Sequence, residues 1–186
     1  MVFVYLFIGF VMLQRVIEVI IANQNAKWIK KKGGYEAGAE HYKYIVAMHA
    51  LFFVALLIEI SFMGTEVVRW SIIPLIIFLI TQVVRVWALS SLGRFWNTRI
   101  MILPGAKVVA KGPYRFMRHP NYVIVAMEIL ALPFIFQAYW TAFIFSILNV
   151  MILRIRIREE ERALKEATNY EEVFKDRGRF VPSYDE

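Results

Sequence analysis

No cysteine occurs anywhere in the chain, which excludes disulfides, thiolate nucleophiles and cysteine zinc sites. Histidine is nearly as scarce. His41, His49 and His119 stand far apart and give no metal-ligand spacing such as HExxH. Charge is thin as well, at 20% of residues, where soluble domains average about 25%. What is present instead is apolar: 59% of residues are hydrophobic, in runs approaching the roughly 20 residues that a membrane-spanning helix needs. The net charge of +7 sits beside those runs rather than on one soluble basic face. That placement points to a membrane surface and away from nucleic acid.

The first run, from Val2 to about Ala22, has no basic stretch before it. It carries Gln14, Arg15 and Glu18 where a secretory signal would offer a small-residue cleavage site, so a retained helix is expected. Further spans are expected over 44–63 and 71–91. Residues 121–153, as one helix, would run about 50 Å, too long for a hydrocarbon core of roughly 30 Å. Pro133, followed by Gln137, Tyr139 and Trp140, offers a turn near the middle, so two short helices in a hairpin are expected. The tail from Arg154 is charged and helix-favouring, and should continue the last helix into water. The expected fold class is therefore all-α, an integral membrane helical protein with about five transmembrane helices and a cytoplasmic C-terminal helical segment. With no internal repeat or linker, a single domain is expected over residues 1–186.

Charge sets the expected orientation. Residues 23–43 hold five lysines, and residues 92–120 hold six cations and no acid. The 64–70 connection has only Arg69 beside Glu66, and the hairpin turn has no charge. Five spans put both basic loops and the tail on one side, the cytoplasm by the positive-inside rule, with the N-terminus outside.

The stretch KGPYRFMRHPNY, residues 111 to 122, gathers polar chemistry between two apolar regions. Pro120 suits the first position of a helix, which leaves His119 at its cap and Asn121 and Tyr122 in its first turn. Such a helix end favours an anionic group. The plainer reading makes Lys111, Arg115 and Arg118 interfacial anchors, with Tyr114 and Tyr122 in an aromatic belt. A second constellation, Arg156 and Glu160 in RIREEE, shares one helix face. It reads either as an ion pair or as part of a polar pocket where a guanidinium holds an oxyanion. Inside the spans, Arg15 can pair with Glu18, while Glu59, Arg85 and Glu128 each need a partner. Glu128 can either reach a substrate cavity or hydrogen-bond between helices.

GPYRFMRHPNY followed some 35 residues later by RIRIREEERAL resembles the isoprenylcysteine carboxyl methyltransferase family. The family pattern is Gly-x-Tyr, then Arg-His-Pro-x-Tyr, a membrane hairpin, and Arg-x-x-x-Glu with further glutamates. The likeness covers roughly residues 92 to 182. It implies methyl transfer from S-adenosylmethionine, with Tyr114, His119, Pro120, Asn121 and Tyr122 lining the cofactor site. It also implies that Lys107, Val108 and Val109 pass beside that site, that Glu160 binds the cofactor and that Arg156 faces the reacting group of the acceptor. Asn97, Thr98 and Arg99 are further candidates. Methyl transfer needs no metal.

The resemblance also implies partners: the lipid bilayer and a lipophilic or lipidated acceptor. The chain lacks the additional membrane helices of the eukaryotic members, which points away from a prenylated protein and toward another lipid-like acceptor, such as the hydroxyl of an alkylpyrone polyketide. Arg156 suits an oxyanion, so O-methylation is expected over N-methylation. Alternatives are a prenylcysteine carboxylate or phospholipid acceptor, an NADPH-dependent sterol-type reductase, and a non-enzymatic membrane protein. Five spans without an inverted repeat count against a transporter. The oligomeric state and the base that would deprotonate a hydroxyl stay open.

Overall fold

The computed structural model describes residues 2–64 and 69–182. Six α-helices make up most of it: α1 Val2–Lys31, α2 Ala39–Met63, α3 Ile72–Leu92, α4 Pro120–Ile135, α5 Tyr139–Ala167 and α6 Tyr170–Val173. The all-α membrane architecture expected from the apolar runs is what the chain forms. By length and composition four helical segments can cross a membrane: Val2–Lys31, Ala39–Met63, Arg69–Phe95 and Tyr139–Ala167. The shorter apolar α4 packs between α3 and α5. Glu66, which entered the charge count of the 64–70 connection, lies outside the described residues.

Several boundaries differ from expectation. α1 continues past Ala22 to Lys31, and α2 starts at Ala39 rather than near Tyr44. Polar residues extend both helices because periodicity in hydropathy ends before helix propensity does. The α1 extension has a structural task. Asn25 Nδ2 donates to the Trp96 carbonyl at 2.8 Å, and Asn97 Nδ2 donates to the Ala22 carbonyl at 3.0 Å, pinning residues 96–97 to α1. A two-stranded antiparallel pairing that the hydropathy pattern does not show, β1 Tyr35–Ala37 with β2 Ile100–Ile102, ties the loop after α1 to the same segment.

The α4–α5 hairpin forms as expected, but Pro133 is not its turn. Pro133 lies in the last turn of α4, where its carbonyl accepts from the Phe136 and Ala138 amides at 3.0 Å each. The chain reverses at Gln137, which adopts φ 59°. The N-terminus of α5 is satisfied from another helix. Glu59 of α2 accepts from the backbone N–H of Trp140 at 3.0 Å and of Thr141 at 2.7 Å, a carboxylate on the positive helix end. Intramembrane Glu59 thus has its partner.

The main apolar core lies at this hairpin end, where Ile8, Phe52, Leu56, Phe78, Leu132 and Phe145 interlock. α1 and α2 meet there, with Tyr5 and Ser61 hydroxyls 3.0 Å apart. Toward the other end the two helices are separated by a cavity. Large apolar side chains such as Leu6, Phe10, Ile80 and Val83 stay exposed, as a lipid-facing surface requires.

Candidate active site

The site is built around the start of α4. His119 is the N-cap residue of α4 and Pro120 opens the helix, so Asn121 and Tyr122 fall in its first turn, as the motif implied. The 3-10 turn Gly112–Arg115 before it packs on α3. Gly112 has φ +59°, and a Cβ there would collide with the Ser91 hydroxyl of α3. Glycine is therefore dictated by packing and by backbone conformation together.

Two cavities lie side by side. The first, about 150 Å³, is the more polar of the two and is lined by nine residues of the motif set: Lys107, Val108, Val109, Tyr114, His119, Asn121, Tyr122, Arg156 and Glu160. Pro120, the tenth, is buried behind them as the first residue of the helix. The second cavity, about 460 Å³, is walled mostly by apolar side chains of α1, α2, α4 and α5. The two share one wall, made by Trp96, Asn97, Asn121, Tyr122 and Arg156. Of the weaker candidates, Asn97 lies on that wall, Arg99 lines the polar cavity and Thr98 the apolar one.

Arg156 and Glu160 share a face of α5 but do not pair directly. Tyr122 stands between them, donating to Glu160 Oε2 at 2.5 Å and accepting from Arg156 Nε at 2.8 Å. A second guanidinium nitrogen of Arg156 donates to the Thr98 carbonyl at 2.7 Å. Arg156 is only 8% exposed, yet among the described residues no carboxylate lies within ion-pair distance of it. A buried cation held only by neutral oxygens remains available to an anion.

His119 is held between two carboxylates. Its Nε2 lies 3.0 Å from Glu161 Oε1, its Nδ1 lies 3.7 Å from Glu160 Oε2, and its ring stacks on Tyr122. Arg179 closes this assembly with two hydrogen bonds to Glu161, at 2.8 and 2.7 Å. Residues 177–179 also bond back along the motif, since the Arg118 and His119 amides donate to the Gly178 and Arg179 carbonyls at 3.0 and 3.1 Å. Burial, with the negative Glu160 nearby, pushes the Tyr114 phenol above its ordinary range and keeps it neutral. Burial and the charges of Glu161 and Glu160 do the same to Tyr170. The backbone at Val108 is held by Asn169, whose side-chain oxygen accepts from its N–H at 3.0 Å.

Several of these residues are not legible in the motif: Trp96, Glu161, Asn169, Tyr170 and Arg179. Glu161 stands in the run of glutamates after Arg156 and was open to discovery there. The others come from loops and the tail, where no periodicity marks them.

A separate polar group lies deeper, between α1, α3 and α4. Arg15 donates to Glu18 at 2.7 Å. Arg85 donates to Glu18 at 3.1 Å and grips Glu128 with two nitrogens. Gln82 adds a bond to Glu128 at 2.6 Å. The expected Arg15–Glu18 pair is present. Glu128 does both things open to it, bonding between helices and lining the apolar cavity.

Comparison with known proteins agrees with the motif. Residues 72–166 match the model of the isoprenylcysteine carboxyl methyltransferase family. Over 162 residues the chain is 45% identical to the uncharacterized protein YpbQ of Bacillus subtilis (strain 168), spanning 87% of this chain and 96% of that protein. It is 25% identical over 165 residues to an uncharacterized protein of Haemophilus influenzae, spanning 88% and 96%. A predominantly helical membrane architecture, the two motifs brought onto one cavity, and a family match over half the sequence lead to one conclusion: this chain belongs to the isoprenylcysteine carboxyl methyltransferase family of membrane methyltransferases.

Proposed function

We propose that the protein transfers a methyl group from S-adenosylmethionine, held in the polar cavity, to an oxygen of a lipid-like acceptor held in the apolar one. The observation that carries this reading is the shared wall with Arg156 in it. One compartment suits a soluble zwitterion, the other an acyl or alkyl chain, and a buried cation in direct contact with no carboxylate of the described residues stands where they meet.

The side chains of the polar cavity match the cofactor's chemical groups, and at about 150 Å³ the cavity encloses only part of so large a molecule. Glu160, with 27% of its side chain exposed, offers a carboxylate to an ammonium group or to ribose hydroxyls. Lys107 and Arg118 have no acidic partner among the described residues and suit a carboxylate. Tyr114 and Tyr122 bring aromatic faces that favour a sulfonium. His119, engaged by Glu160 and Glu161, serves better to position those carboxylates than to receive an anion. The bound cofactor supplies an electrophilic methyl group, whose transfer to an oxyanion breaks a carbon–sulfur bond, forms a carbon–oxygen bond and cancels both charges. Arg156 orients the oxyanion, and Tyr122 locks Arg156 and Glu160 in fixed relation so that donor and acceptor meet in line. Trp96 and the buried face of Tyr122 keep water from the meeting point. An already ionised acid needs no base.

The acceptor enters from the bilayer between α1 and α2, where Met12, Val16, Ile20 and Val46 line the apolar cavity while exposed. In this reading α4 is the fifth span, both basic loops and the tail are cytoplasmic, and residues 1–186 act as one domain. An alkylpyrone-type hydroxyl, acidic enough as a vinylogous acid to give its proton to water before the transfer, remains our preferred acceptor class over a prenylcysteine carboxylate. The test is calorimetric titration of the purified protein with S-adenosylmethionine or its demethylated product. A measurable heat of binding is expected, and none at millimolar cofactor overturns the assignment.

A further inference from the structure

The apolar cavity carries a second polar station that methyl transfer does not use. His49 of α2 lines this cavity. Its Nδ1 lies 2.9 Å from the Ile45 carbonyl oxygen. A carbonyl only accepts, so Nδ1 carries the proton and Nε2 of the neutral ring is left as an acceptor. Among the described residues Nε2 has no partner, and it is not one of the sealed partnerless atoms, so it opens on free space. Arg15, with 20% of its side chain exposed, lines the same cavity, as do Glu18, Arg85 and Glu128. Apart from Asn149 and the polar residues around Arg156 (Tyr42, Asn97, Thr98, Asn121 and Tyr122), the other walls are apolar.

Two helices give the depth of this station independently. Tyr122 of α4 holds Arg156, and Glu128 follows it by six residues, roughly 9 Å along the helix. On α2, the Tyr42 hydroxyl lies 3.1 Å from that of Thr98, whose carbonyl takes Arg156, and His49 follows Tyr42 by seven residues, roughly 10 Å. Both helices leave the Arg156 level in the same direction. His49 and the Arg15 group therefore form one polar band about two helical turns below the reacting position.

We propose that His49, with Arg15 beside it, is a specificity subsite for a second polar group of the acceptor. That group is a hydrogen-bond donor such as a hydroxyl, carried roughly 10 Å from the methylated oxygen. The inference rests on the apolar cavity being the acceptor site. It adds that the acceptor, alkylpyrone-type or other, carries a polar group along its tail as well as at the methylated end. A site built to pair a hydroxyl discriminates strongly against an analogue lacking it, because the buried acceptor is then left unsatisfied.

The test offers an equimolar mixture of hexadecanoic acid and 8-hydroxyhexadecanoic acid to the protein in lipid nanodiscs, with retained acid counted by mass spectrometry. The carboxylate of each reaches Arg156, and the hydroxyl of the second falls at the depth of His49. The wild type is expected to retain the hydroxylated acid about 10-fold over the plain one. His49→Leu brings the ratio to near one, and His49→Gln, which keeps an acceptor, lies between. A wild-type ratio near one, or a preference unchanged in His49→Leu, overturns the subsite while leaving the acceptor cavity standing. Retention of neither acid by the wild type overturns the cavity's assignment and the subsite with it.

Discussion

Two arginines on the cavity walls, Arg85 and Arg156, are buried to nearly the same degree, at 5% and 8% exposure, and have opposite surroundings. Arg85 is closed in by Glu18 and Glu128, with Arg15 and Gln82 completing a group of two cations and two anions. Among the described residues Arg156 bonds directly only to a phenol and a carbonyl, with Glu160 on the far side of the phenol. The first arrangement neutralises itself and serves to hold α1, α3 and α4 together. The second leaves a positive site facing a cavity, which is costly unless something anionic arrives. Burial and charge alone do not distinguish a structural arginine from a functional one. The identity of its partners does.

Substitution tests this contrast, beginning with the largest effect. Arg156→Ala should lower turnover by about 100- to 1,000-fold, the scale for removing a donor aimed at a reacting oxygen. Its affinity for S-adenosylmethionine by calorimetry should stay within a few-fold. Equal loss of both would erase the division between Arg156 and Glu160. Arg85→Met should instead act on stability, costing about 3 kcal/mol by leaving Glu18 and Glu128 to share Arg15 as their one remaining cation among the described residues, read as a lowered Tm in detergent. Replacing Arg85 and Glu128 together by Met should recover part of that loss. A single variant with unchanged Tm would show that the inner group is not structural.

Smaller effects are expected at the links. Glu160→Ala should weaken cofactor binding about 10-fold with a lesser change in turnover at saturating cofactor. Tyr122→Phe keeps the ring but removes the bridge, and should cost both cofactor affinity and turnover by several-fold. Arg179→Ala should have the least effect, because its side chain is 52% exposed and acts only by steadying Glu161. A raised KM for cofactor with unchanged kcat is the expected signature. A loss as large as that of Glu160→Ala would promote the tail from support to binding.

The architecture was legible where hydropathy is periodic. The long apolar runs, the hairpin and the continuation of α5 past Arg154 all follow from composition. The α1 extension, the β1–β2 pairing and the turn at Gln137 did not, because each depends on polar or backbone contacts made across the chain. The same division holds at the site. His119, Tyr122, Arg156 and Glu160 stand in recognisable motifs, and the fold brings them onto one cavity. Trp96, Tyr170 and Arg179 reach it only through loop and tail geometry. That Tyr122 separates Arg156 from Glu160 could not be read from their four-residue spacing, which left an ion pair and a polar pocket both open.

The central claim is that Arg156 stands between a soluble methyl donor and a membrane-dissolved acceptor. The direct measurement supplies methyl-labelled S-adenosylmethionine to purified protein with extracted membrane lipids, then follows label into the organic phase and its release by mild alkali. The account predicts organic-phase label with the wild type and almost none with Arg156→Ala, alkaline release marking an ester and resistance an ether. Label absent from the lipid phase for a wild type that binds the cofactor, or equal label with Arg156→Ala, would contradict it.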